Sequence, residues 1–310
     1  MTSRSGLLLL DKAADWTSHD VVAKVRGIAK TRRVGHAGTL DPMATGLLLL
    51  GINNATKLLT FLVGEDKTYI TTIRLGASTI TDDRESEYLT IAEPSAVEQL
   101  SAESIRAVIA TLTGEIMQVP SSVSAIKVNG ERAYAKVRGG DEVKLAARPV
   151  TVSRFEMLGE PRLVEDGSHK FVDFDAIIDC SSGTYIRALA RDLGAALSVG
   201  GHLTALRRTR IGGYNVASAV SVEDLDPNHL QLLFSNDAAR AQFDSRELSD
   251  QEVIDIRHGK RLPAGEIKTS ATARDRTIAA FGPNGDLVAI LTKIGGQLKS
   301  SVVFQEESND

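Results

Sequence analysis

Residues 32–48, RRVGHAGTLDPMATGLL, hold the densest group of chemically useful residues in the chain. Asp41 precedes Pro42, which biases its backbone toward an extended form. Gly35, Gly38 and Gly46 surround it and permit close backbone approach and unusual dihedral angles. Its other neighbours are small or apolar, so the carboxylate can be desolvated. That suits nucleophilic or general-base chemistry. An Asp opening a turn before proline is the simpler interpretation of the loop alone, and a common one. Just upstream, Lys24, Arg26, Lys30, Arg32 and Arg33 form a basic run with no acid before Asp41. Such a run serves either phosphate contact or a solvated helix face.

Two later segments add candidates. SSGTYIRALARDLG places Tyr185 and Arg187 at a strand-to-helix junction, and HLTALRRTRIGGY supplies Arg207, Arg208 and Arg210. Taken singly, Tyr185 reads as core and Arg187 as half of an ion pair. The single cysteine, Cys180, excludes an internal disulfide and a multi-thiolate zinc site, and suits a reducing, cytosolic compartment. No glycine loop for nucleotides and no metal-ligand cluster is visible. The net charge of −4 argues mildly against a nucleic-acid binder. Phosphates respond to local potential, however, and the basic residues are clustered.

The elements that must hold these residues follow from patterning. The 310 residues, 42% apolar and 25% charged, suffice for a large domain plus a small one. The leucine run at residues 7–10 is too short for a signal peptide or membrane span, and reads as a buried strand ending in a charged turn at Asp11-Lys12. Ser18 is the expected N-cap of a helix with Val21, Val22, Val25, Ile28 and Ala29 on one face. A loop covers residues 34–46, and residues 47–50 form a second buried run. Lys67–Leu75 alternates as a strand does. A helix is expected at 104–112, stopped by Gly114, and another at 184–197. Strands are expected at 150–158 and 170–180. Residues 118–149 are polar and basic, with turn signals at Asn129-Gly130 and Gly139-Gly140, and read as a hairpin-rich excursion. Without a regular βαβ rhythm the pattern predicts an α+β fold with a mixed, largely antiparallel sheet and flanking helices. After residue 240, Ser249 and Glu252 make a capping box, and strand-like pieces follow at Thr277–Phe281, 287–291 and 301–304. This predicts a large domain at 1–239, which would hold the candidate chemistry, and a small β-rich domain at 240–310, ending in a solvated EESND tail.

Several segments together resemble one family. VGHAGTLDPMATGLL is similar to the signature of TruB-type tRNA pseudouridine synthases. LLLLDKAADWTSHDVV resembles that family's opening, GEDKTYITTIRLG its active-site tyrosine strand, and QVPSSVSAIKVNGERAYAKVRGG its RNA-contacting insertion. CSSGTYIRALARDLG and GGHLTALRRTRIGGY resemble its later motifs. The likeness runs in order from about residue 6 to 214, far more specific than one loop. The last segment resembles only loosely the PUA-like domain many members carry. The chain departs from the family at Ala13 and Asp15, where Pro and Gly are usual, at Ile80 within an expected Thr-Asp-Thr, and at Asn53 in place of Gly.

The resemblance implies that the chain isomerises the uridine conventionally numbered 55 in the tRNA T-loop, without cofactor or metal; a monomer is the default expectation. The resemblance makes Asp41 the essential carboxylate, with Arg187 pairing with it and favouring its ionised form. Tyr69 would lie against the flipped base and help remove the C5 proton. His36 would fill the space the base vacates. Tyr185 and Leu206 would line the base pocket. Arg207 and Arg208, with Arg32, Arg33 and the rest of the basic helix region, would hold the RNA backbone. Three alternatives remain. A non-catalytic RNA-binding factor does not need Asp41, Tyr69 and Arg187 together. A base-exchanging transglycosylase typically carries a Cys/His zinc site. A paired-acid glycosidase needs a second carboxylate that the Asp41 segment lacks.

Overall fold

The computed structural model describes residues 5–122, 127–128, 131–132, 145–226, 229–270 and 277–305. It divides into two compact units, Met1–Glu65 with Arg210–Asp310, and Asp66–Thr209.

In the first unit the strand Gly6–Lys12 pairs antiparallel with Thr45–Ile52, setting leucine against leucine from Leu8↔Leu50 to Leu10↔Leu48. Side chains alternate across a strand, so these runs must be covered on both faces. Leu8, Leu10, Leu48 and Leu50 pack with Val21, Val22, Val25 and Ala29 of the helix Ser18–Ala29. Leu7, Leu47 and Leu49 face the other way, onto Leu58, Leu62, Phe281, Leu287, Ile290 and Phe304. Val220–Ser221 joins Gly6–Lys12 in parallel, which makes the sheet mixed. The strand extends through Asp11 and Lys12, where the sequence predicts a turn.

Residues 244–303 carry a five-stranded sheet in the order Asp244–Glu247, Thr277–Phe281, Leu287–Ile294, Gln297–Val303, Leu262–Pro263. Its helix Asp250–Arg257 starts at the Ser249–Glu252 capping box that the sequence predicts. One face of this sheet has its own core, including Leu248, Ile256, Leu262, Leu291 and Leu298. The other supplies Phe281 and Ile290 to the core of residues 1–65.

In the second unit Lys67–Leu75, His169–Cys180, Arg148–Asp166 and Gly114–Gln118 form successive antiparallel pairs. Ala102–Thr111 buries Ile105 and Ile109. Ile186–Ala196 buries Ile186, Ala188, Leu189, Ala190 and Leu193. The expected excursion leaves the sheet at Gln118 and returns at Arg148, which are register partners. Within it Lys127–Val128 pairs with Glu131–Arg132. Both of its turn signals, like the EESND tail, lie outside the described residues.

Candidate active site

Asp41 lies half-buried in the loop that joins the strands Val34–His36 and Thr45–Ile52. Two positive-φ glycines bracket it, Gly38 at 90° and Gly46 at 100°, conformations that a side chain would strain. Gly35 instead sits in ordinary strand conformation opposite Gly51.

Both chain neighbours of Asp41 are hydrogen-bonded through their backbones. On one side the Leu40 N–H donates to Ser18 Oγ at 2.9 Å, and that hydroxyl donates to the Leu40 carbonyl at 3.1 Å. On the other side the Pro42 carbonyl accepts from Lys12 Nζ at 3.0 Å and from the Asp15 N–H at 2.9 Å. Lys12 is fully buried and also donates to the carbonyls of Ala13 and Trp16. An ammonium enclosed in this way has carbonyl dipoles in place of water.

Ser18 is free for this task because the helix is capped one residue earlier than expected. Thr17 is the N-cap, in a reciprocal box with Asp20. Those hydrogen bonds to Thr17 hold the Asp20 carboxyl below the ordinary carboxylate value. His36 is half-buried, edge-on to His19 with ring centroids 6.0 Å apart. The basic run sorts by contact. Arg26 donates to the Val34 carbonyl at 3.0 Å, and Lys24 lies over the Trp16 ring. Arg32 and Arg33 are exposed.

The remaining candidates belong to the second unit. Tyr69 is 7% exposed in Lys67–Leu75, opposite Ile178. Arg187, 5% exposed in the first turn of Ile186–Ala196, donates to the Thr81 carbonyl at 2.7 Å. It also lies 3.6 Å from the Asp83 carboxylate, itself 1% exposed. Tyr185 is the N-cap of that helix and half-buried, Leu206 is buried, and Arg207 is half-buried.

Arg208, also expected at the RNA backbone, is 1% exposed. Successive residues of a strand face opposite ways, and Gly201–Ile211 turns Arg208 inward where Arg207 keeps some exposure. The sequence analysis gives Lys12 only a place in a turn and Ser18 only a helix cap, and it gives Asp83 and Gln118 no individual role, because the role of each depends on a contact distant in sequence.

Two of the departures from the family pattern have a backbone explanation. Asp15 and Asn53 both lie in the left-handed region, at φ 67° and 53°. Glycine occupies that region freely, and Asp and Asn tolerate it better than other residues. Ile80 is 44% exposed. Among the described residues no three His, Cys, Asp or Glu side chains gather as metal ligands would, and no helix is long and apolar enough to cross a membrane.

Known proteins match this arrangement. The model of the TruB family pseudouridylate synthase N-terminal domain matches residues 26–186. Those of the tRNA pseudouridylate synthase B C-terminal domain and the tRNA pseudouridine synthase II C-terminal segment match 187–241 and 243–305. The tRNA pseudouridine synthase B of Arthrobacter sp. (strain FB24) is 55% identical over 303 residues, covering 97% of this chain and 96% of that protein. Its counterpart in Leifsonia xyli subsp. xyli (strain CTCB07) is 53% identical over 300 residues, covering 97% and 96%. In solved structures, a chain of a Cbf5–Nop10–Gar1 complex superposes with a TM-score of 0.71 at 23% identity, covering 97% of this chain and 85% of that one, a likeness of fold. With a family model spanning half its length and relatives more than half identical along nearly all of it, the chain belongs to the TruB family of pseudouridylate synthases.

Proposed function

We propose that the chain isomerises the T-loop uridine of tRNA, position 55, to pseudouridine, with Asp41 as the essential carboxylate. The observation that carries the assignment is the bracing of Leu40 and Pro42 by Ser18, Lys12 and Asp15, which holds the intervening Asp41 in place before substrate arrives. The relatives named tRNA pseudouridine synthase B support the substrate class.

Isomerisation breaks the bond from N1 of the base to C1′ of the ribose. The base rotates, a C5–C1′ bond forms, the C5 proton leaves, and N1, released from the sugar, takes up a proton. There is no net redox change, and no cofactor is required. Asp41 serves either by attack at C1′ or by taking a ribose proton to give a glycal-type intermediate, and both routes need its ionised form. Arg187 is assigned to pair with Asp41 and orient it. Tyr69 is assigned to the flipped base and to C5 proton loss, Tyr185 and Leu206 to the base pocket, and His36 to the space the base leaves. Arg32, Arg33 and Arg207 are assigned to the RNA backbone. Residues 1–239 would carry the chemistry and 240–310 would support it. The enzyme would act as a monomer in the cytosol.

The test is release of tritium from C5-labelled uridine in a tRNA transcript with no cofactor added. Wild type should release it. Asp41→Asn should release none while still binding the transcript. Near-normal release by that variant would remove Asp41 from the chemistry. Binding without release by either protein would make the chain an RNA-binding factor.

A further inference from the structure

Gln118 stands at the root of the 118–149 excursion, as the last residue of Gly114–Gln118 and opposite Arg148 in the sheet register. It is 1% exposed, yet nothing in the reaction assigned above uses it. Its side-chain amide is spent on one distant residue. Gln118 Nε2 donates to the Tyr185 carbonyl at 3.0 Å, and the Tyr185 N–H donates to Gln118 Oε1 at 2.8 Å. A primary amide bonded through both atoms to one residue's backbone imitates a strand partner. It fixes that residue in translation and in rotation.

The Tyr185 carbonyl also accepts the Leu189 N–H of the helix at 3.2 Å. Tyr185 is the N-cap of Ile186–Ala196, in extended conformation at φ −101° and ψ 108°, and no side chain caps that helix end. The dihedral angles of Tyr185 set where the first helical turn begins, and Arg187 lies in that turn. A second tie joins the same two segments. Arg191, one turn further along the helix, donates to the Val119 carbonyl at 2.7 Å and reaches the Asp82 carboxylate at 3.4 Å. Burial pushes the Asp82 carboxyl above its ordinary value. The stem of the excursion and the start of the helix are thus fastened at consecutive residues, 118 and 119.

We propose that Gln118 is a positioning residue for isomerisation, acting through the Tyr185 backbone to set the placement of Tyr185 and Arg187. It does not touch the uridine. This rests on the assignment of Tyr185 and Arg187 to the uridine site.

The test uses the full-length protein and a tRNA transcript. Gln118→Met keeps the length and bulk of the side chain and removes both hydrogen bonds. Its rate of C5 tritium release at saturating enzyme should fall at least 10-fold, with transcript affinity within about 3-fold of wild type. Gln118→Glu keeps the acceptor for the Tyr185 N–H and should lie between Met and wild type; it decides the matter if the Met variant does not fold. Arg187→Ala is the control on the underlying assignment. If Arg187→Ala is inactive but folded Gln118→Met turns over at the wild-type rate, the proposal fails and the site assignment stands. If Arg187→Ala retains wild-type turnover, the site assignment fails. A lowered melting temperature with an unchanged rate per folded molecule would make Gln118 purely structural and overturn the proposal.

Discussion

A lysine ammonium without exposed surface must be compensated where it lies. Lys12 has the carbonyls of Ala13, Trp16 and Pro42 for that purpose. Lys12→Met would remove the ammonium donor from the Ala13 and Trp16 carbonyls, at about 1–3 kcal/mol for each one left unsatisfied. It would also remove one of the two bonds to the Pro42 carbonyl, leaving that of the Asp15 N–H. The expected outcome is a lower melting temperature together with a kcat at least 10-fold lower, measured by tritium release and thermal denaturation. An unchanged kcat would show that the loop keeps its shape without the ammonium. Asn53 makes a second prediction at this scale. At φ 53° a β-branched residue is strained, so Asn53→Val should cost about 1–2 kcal/mol, whereas Asn53→Gly should be nearly neutral. Chemical denaturation measures both. Equal losses would mean that the Thr31 hydroxyl bond to Asn53, and not the backbone conformation, is what matters at this position.

At the scale of elements, the helix Ser18–Ala29 and the Asp41 loop are joined by one hydroxyl, and the cap next to it is a separate device. Thr17→Ala should remove the cap and cost about 1 kcal/mol of stability while leaving catalysis intact. Ser18→Ala should do the reverse, with a modest loss of stability and a larger loss of rate, because Leu40 loses both its bonds to that side chain. Comparing denaturation midpoints with single-turnover rates for the two variants separates the roles. The same rate loss in both would merge them. The second unit offers a pH test. His202 is 2% exposed, and burial lowers its pKa from the ordinary histidine value while Nδ1 faces the Ala77 carbonyl. The unfolded chain then binds the proton more readily than the native one, so stability rises with pH through the ordinary histidine range and is lost as pH falls below it. His202→Gln should flatten this dependence between about pH 7 and pH 5, as followed by melting temperature. A variant with the wild-type slope would place the titration elsewhere.

For the whole molecule, net charge said little, and burial decides which cations are available. Arg33 is exposed and Arg208 is enclosed. Arg33→Ala should reduce the salt dependence of RNA binding by about one counterion, while Arg208→Met should leave the slope unchanged and lower stability. Binding isotherms at several salt concentrations read this directly, and a reduced slope for Arg208→Met would return that residue to the RNA. The five-stranded sheet of residues 244–303 is also part of the first unit's core, through Phe281, Leu287 and Ile290. Phe281→Ala should cost about 3–5 kcal/mol and should destabilise residues 1–65 along with the sheet.

Much was legible in the chain order alone. The leucine runs, the Lys67–Leu75 alternation and the Ser249–Glu252 box are local patterns, and local patterns specify elements directly. The segment around Asp41 singled out a candidate carboxylate only together with the other matching segments, since the loop alone reads equally as a turn before proline. Tertiary structure decided what depends on partners distant along the chain. It showed that a charged Lys12 at a strand end is buried under the Asp41 loop, and that Ser18 braces Leu40 because Thr17 has taken the cap. It turned one arginine of an adjacent pair inward and gave Gln118 the backbone of Tyr185. Each of these is fixed by burial and by a hydrogen bond between residues far apart in sequence, and neither burial nor such a partner can be read from residue type and spacing.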